Sequence, residues 1–145
     1  LPVTGGATAE RLVARERPVG GTETILVAED EPYLRQTIQR VLSRHGYRVL
    51  LASDGLEALA QFDQHRDEIS LLISDVVMPH LGGVDLVARL REKHPQLKVL
   101  LTSGYMGRDL ERLSAADATI PMLAKPWTVT DLLSSVRTIL DATGS

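Results

Sequence analysis

Five short apolar runs, at residues 25–28, 49–52, 71–73, 99–101 and, more weakly, 122–124, set the strongest limit on how this chain can fold. Within each run apolar residues follow one another without polar alternation. A strand of that kind must be covered on both faces, as in a parallel sheet sandwiched between helices. Helical patterns lie between the runs. Leu34, Ile38, Val41 and Leu42 share one face of a helix that begins near Pro32, and Gly46 stands where a left-handed C-cap is expected. Leu56, Leu59 and Phe62 mark a second helix, Val87 and Leu90 a third that ends before Pro95, and residues 109–116 a short fourth. Leu132, Val136, Ile139 and Leu140 mark the last, with Thr128 and Asp131 spaced as its capping box. Strand and helix thus alternate with short connections, which demands right-handed crossovers. The expected fold is α/β, a (βα)5 doubly wound parallel sheet of strand order 2-1-3-4-5. Residues 1–23, broken by Pro2, Gly5, Gly6, Pro18, Gly20 and Gly21, read as a linker, 24–141 as the domain and 142–145 as a tail.

In such sheets ligands gather outside the C-terminal ends of the strands, where the strand order reverses. Glu29, Asp30 and Glu31 follow the first run, Asp75 the third, Thr102 and Ser103 the fourth, and Lys125 with Pro126 the fifth. Three carboxylates, Glu29, Asp30 and Asp75, are therefore expected in one cleft. Like charges at that range force protonation unless a cation intervenes. A hard divalent ion such as Mg2+, with Mn2+ as a substitute, suits an all-oxygen donor set. Carboxylates, a cation, a lysine and a hydroxyl are also the parts required for phosphoryl transfer, whose catalysis is mostly positioning and charge neutralisation. Asp75 is then the nucleophile, with Lys125 and Ser103 meeting phosphoryl oxygens.

These residues resemble the receiver domain of response regulators and hybrid histidine kinases. The resemblance is carried by Ala28-Glu29-Asp30-Glu31-Pro32, by Ser74-Asp75-Val76-Val77-Met78-Pro79 with Gly82-Gly83, by Leu101-Thr102-Ser103-Gly104 and by Ala124-Lys125-Pro126. It implies a flavodoxin-like fold and a phosphoacceptor in two-component phosphorelay signalling. It further implies that Asp30 holds the metal directly, Glu29 through water and Val77 by its backbone carbonyl. Asp75 is then the phosphorylated residue, Ser103 the switch hydroxyl and Lys125 the phosphate-facing lysine, with a cis bond before Pro126. The implied partner is a histidine kinase core or a histidine phosphotransfer domain, with a homodimer through the fourth helix, fifth strand and last helix as a further expectation. Two positions depart from the pattern. Met122 stands where the family usually has an aromatic switch residue, and Val77 and Tyr105 stand two beyond Asp75 and Ser103, which implies slow loss of phosphate.

The start Leu1-Pro2-Val3 and the Gly-Gly-Thr-Glu-Thr run at 20–24 resemble the join between a kinase domain and an attached receiver, so a hybrid sensor kinase is the expected parent. A stand-alone response regulator and a non-phosphorylated interaction module remain the alternatives. Only four residues follow the last helix, so the chain is expected to lack an output domain. A haloacid-dehalogenase-type phosphatase would need an aspartate at Val77, and in a flavin or nucleotide binder Glu29–Glu31 would repel phosphate. The net charge of −3 gives no electrostatic reason to bind nucleic acid or an anionic membrane. No cysteine is present, and no apolar run nears the roughly 20 residues of a membrane span, so a cytoplasmic location is expected. The four histidines show no metal-ligand spacing and are expected on the surface, and Trp127 is expected to pack rather than to stack on bases.

Overall fold

The computed structural model describes residues 20–104 and 120–142. Within them the chain runs β1 (Thr24–Ala28), α1 (Pro32–Arg44), β2 (Arg48–Ala52), α2 (Gly55–His65), β3 (Ile69–Asp75), α3 (Gly83–Lys93), β4 (Val99–Ser103), β5 (Met122–Ala124) and α4 (Val129–Asp141). The strands form one parallel sheet in the order β2-β1-β3-β4-β5, as expected. The helix expected at 109–116, Tyr105, the first nineteen residues and the last three lie outside the described residues.

The unbroken apolar runs have a direct explanation in the two cores. Ile25 and Val27 point to one face of the sheet, where they meet Ile38 and Leu42 of α1 and Leu132, Leu133 and Val136 of α4. Leu26 and Ala28 point to the other, where they meet Ala58 and Phe62 of α2 and Leu86, Val87 and Leu90 of α3. Both parities of a central strand are therefore buried, and each fully buried leucine or isoleucine contributes on the order of 1.5–3 kcal/mol.

The helix ends follow their local chemistry. Glu31 caps α1, its carboxylate accepting the amides of Tyr33 at 3.1 Å and Leu34 at 2.8 Å, and Pro32 occupies the first turn, where no amide is needed. Gly46 closes α1 at φ 97°, a backbone only glycine adopts cheaply. Asp54 caps α2 through the Glu57 amide at 2.8 Å. Thr128 and Asp131 form the reciprocal capping box of α4. At the lower end of the sheet, Lys98 Nζ donates to the carbonyls of Leu140 at 2.9 Å and Ala142 at 2.8 Å, holding the last turn of α4.

Two sequence expectations are corrected. Leu56 was expected on the core face of α2, but it is 49 % exposed. The helix begins at Gly55, so Ala58 and Phe62, one turn apart, take the inward positions and Leu56 falls on the outer side of the first turn. Among the histidines only His80 is exposed; His45, His65 and His94 are half-buried. His45 Nδ1 lies 2.9 Å from the Val41 carbonyl, and the His94 ring packs on Phe62 with centroids 4.8 Å apart.

Candidate functional site

Register brings the acidic residues together. Ala28 of β1 pairs with Ser74 of β3, so the next residue on each strand, Glu29 and Asp75, leaves the sheet side by side. Asp30 follows at the turn into α1. One carboxylate oxygen from each of Glu29, Asp30 and Asp75 lies within 4.8 Å of the others. From the far side of the cleft, Lys125 Nζ lies 3.0 Å from Asp75 Oδ2 and 3.4 Å from Glu29 Oε1. Lys125 is held there by its own amide, which donates to the Ser103 carbonyl at 2.7 Å, and the Lys125–Pro126 peptide is cis, as expected. Ser103 ends β4 fully buried, in register with Ala124 of β5.

The cluster is electrostatically unbalanced. Glu29 is 1 % exposed and Asp75 8 %, while Asp30 is open to solvent. One ammonium faces three carboxylates. Burial, reinforced by the charge of Asp75, pushes the Glu29 carboxyl up to about 7, against the downward pull of the Glu31 amide and Lys125. Burial also raises the Asp75 carboxyl, against the downward pull of its hydrogen bond to Lys125. For Lys125, burial pulls the ammonium down, but Asp75 and then Glu29 outweigh it and the net shift is upward. A cation among these carboxylates would offset the desolvation and mutual repulsion that raise them. The donors are all hard oxygens, which fits magnesium or manganese and does not suit a soft metal.

The loop after Asp75 is built to stay close. The Val77 amide reaches Asp75 Oδ1 at 3.4 Å, and Val77 itself is 49 % exposed at the rim. The Ser74 hydroxyl donates to the Asp75 carbonyl at 2.9 Å. Gly83 opens α3 so near this backbone that a Cβ there would lie 2.3 Å from the Asp75 carbonyl oxygen. Gly82, where a Cβ would lie 2.8 Å from the Val76 carbonyl oxygen, and Gly83 thus serve close approach rather than unusual φ. The left-handed residue of the loop is His80, at φ 68°, whose Nδ1 lies 2.8 Å from Asp54 Oδ2. Met122 is half-buried against the core on the α2–α3 face, and Trp127 packs partly buried against the core on the α1–α4 face.

Sequence reasoning missed several supporting groups. Arg35 Nη1 donates to the Glu29 carbonyl at 2.7 Å. Arg137 gathers Glu23, Asp141, Tyr47 and the Gly20 carbonyl at the opposite end of the sheet. The bonds from Arg137 to Glu23, Tyr47 and Gly20 carry no local signal, because they are set by the tertiary fold.

Comparison with known proteins places these features in context. Residues 25–137 match the response regulator receiver domain family. The chain is 35 % identical over 135 residues to the sensor kinase CckA of Brucella abortus strain 2308; the match takes in 93 % of this chain and 14 % of that kinase. The crystal structure of the receiver domain from the hybrid histidine kinase CckA superposes with a TM-score of 0.70 at 34 % identity, covering 81 % of this chain and 99 % of that one. Response regulator TrrA of Thermotoga maritima, solved in complex with Mg(2+)-BeF, superposes with a TM-score of 0.70 at 29 % identity, covering 81 % and 98 %.

Proposed function

We propose, from the premise that the chain belongs to the response regulator receiver domain family, that it accepts a phosphoryl group on Asp75 from a phosphohistidine donor, with a magnesium ion bound at the acidic cluster. The observation that carries the reading is the meeting of Asp75 with Glu29, Asp30 and Lys125 at the strand ends.

Lys125, 3.0 Å from Asp75 Oδ2, favours the carboxylate form of Asp75 against the burial that raises it. Its carboxylate oxygen attacks phosphorus as the phosphorus–nitrogen bond of the donor breaks, and the imidazole leaves with the electron pair of that bond. The product is an acyl phosphate on Asp75. Lys125 turns from the carboxylate to a phosphoryl oxygen, and the Ser103 hydroxyl donates to another. Asp30, Asp75 and the Val77 carbonyl would hold the ion, with Glu29 through water. When bound, magnesium, or manganese in its place, supplies the positive charge that offsets two carboxylates and the developing phosphoryl charge. Contacts from the phosphate to Ser103 and Lys125 then favour an active arrangement of the domain.

The likeness to CckA supports placing this receiver within a hybrid sensor histidine kinase in the cytoplasm, with the kinase core or a histidine phosphotransfer domain as its partner. No helix among the described residues is long and apolar enough to cross a membrane. The test is labelling by acetyl phosphate with magnesium present. Asp75→Asn is expected to abolish it, and labelling that persists in this variant sinks the assignment.

A further inference from the structure

Glu29 and Asp30 lie between the last residue of β1 and Glu31, whose carbonyl accepts the first helical bond of α1 from the Arg35 amide at 2.9 Å, so the carbonyl of Glu29 falls outside both hydrogen-bond ladders. It must find a partner elsewhere if it is buried. The Glu29 amide donates to the Ala52 carbonyl at 3.0 Å. Its carboxylate oxygens accept the Glu31 amide at 3.1 Å and Lys125 at 3.4 Å. Its carbonyl accepts Arg35 Nη1 at 2.7 Å, a short charge-assisted bond.

Arg35 stands on the first turn of α1 and is half-buried. Among the described residues its guanidinium forms no ion pair, so charge neutralisation of the nearby carboxylates does not explain it. What it holds is the peptide between Glu29 and Asp30. The tilt of that one peptide sets where both side chains leave the backbone.

We infer that Arg35 is a positioning residue for the cation site: by fixing the Glu29 carbonyl it makes the carboxylates of Glu29 and Asp30 converge toward Asp75. The inference rests on the cation-site reading of this cluster. It carries a sign that separates it from a pure charge effect. Arg35 is itself a cation, and a cation near a cation site weakens binding. If its charge were all that mattered, removing it would tighten magnesium binding. If it positions the turn, removing it weakens binding.

The experiment is calorimetric titration of the metal-free chain with magnesium chloride, together with its melting temperature. Arg35→Met keeps the aliphatic stem and deletes the donor and the charge. Its magnesium dissociation constant is expected to rise about tenfold, the usual scale for losing a group that orients a ligand. Arg35→Lys, which restores a donor, is expected to recover most of the loss. Ile38→Val loosens the packing of the same helix without touching the turn and is expected to keep wild-type affinity. Should Arg35→Met fail to fold, Arg35→Gln carries the same sign with a smaller effect. Unchanged or tighter binding in the Met or Gln variant overturns the inference, and so does an equal loss in Ile38→Val. If the wild type binds no magnesium, or Asp30→Asn binds it equally well, the cation-site reading falls first and the inference with it.

Discussion

Arg137→Ala tests how far the domain depends on a clasp that lies away from its chemistry. The guanidinium donates to Glu23 Oε2 at 2.7 Å and Oε1 at 3.2 Å, to Asp141 Oδ1 at 2.8 and 3.1 Å, to the Gly20 carbonyl at 3.3 Å and to the Tyr47 hydroxyl at 3.3 Å. These bonds are unequal. Asp141 is 65 % exposed and one helical turn from Arg137, so that pair is worth only about 0.3–0.5 kcal/mol. Glu23 and Arg137 are 29 % and 19 % exposed, and their forked bond, discounted for solvent, contributes about 1 kcal/mol. The two long contacts to Gly20 and Tyr47 add about 0.5 kcal/mol together. The expected loss is about 2 kcal/mol, or a fall in melting temperature of about 6–10 °C for a domain of this size. The same bond gives the loss a pH signature. Arg137, through its hydrogen bond to Glu23, holds that carboxyl below its ordinary value. A depressed carboxylate contributes stability that is fully present above its unfolded pKa, about 4.3, and is lost as pH falls through the folded value. The gap between wild type and variant, measured by calorimetric melting, is therefore expected to be full near neutrality and to shrink on acidification below about pH 4. A gap that stays constant with pH, or a variant that melts with the wild type, refutes the reasoning.

Two further outcomes are expected. Gly83→Ala places a Cβ 2.3 Å from the Asp75 carbonyl oxygen, so either α3 or the end of β3 must shift. A loss of about 1–3 kcal/mol in denaturant unfolding is expected, and wild-type stability would show that the backbone yields freely there. The phosphorylated Asp75 is expected to last well beyond seconds, because Val77 puts an apolar side chain at the rim where a water would approach; decay of the labelled protein within seconds contradicts this.

The sheet was legible because its strands are buried on both faces, which leaves an unbroken apolar run that a surface strand does not produce. The site was legible for the same reason: strand ends could be located, and Glu29, Asp75 and Lys125 each stand directly beyond or at one. Capping also declared itself where donor and acceptor are neighbours, as in Thr128 and Asp131. Leu56 misled because an apolar residue in the first turn of a helix looks inward on a period count whose phase is set only once the cap, Asp54, is known. The left-handed backbone fell on His80 rather than on either glycine of that loop, since the glycines are required by a neighbouring carbonyl that no local pattern reveals. Arg137 and Glu23 are 114 positions apart, and nothing near either residue announces the pairing.

The Gly21 amide, bound to the His45 carbonyl at the foot of α1, and Lys98, holding the carbonyls of Leu140 and Ala142, fasten both margins of the domain at the edge remote from the carboxylates. Gly21 and Ala142 are thus both tied down behind the sheet, away from the acidic cluster. Under the proposed phosphoacceptor reading, a phosphoryl donor would therefore reach Asp75 from the end of the sheet opposite these two fastenings.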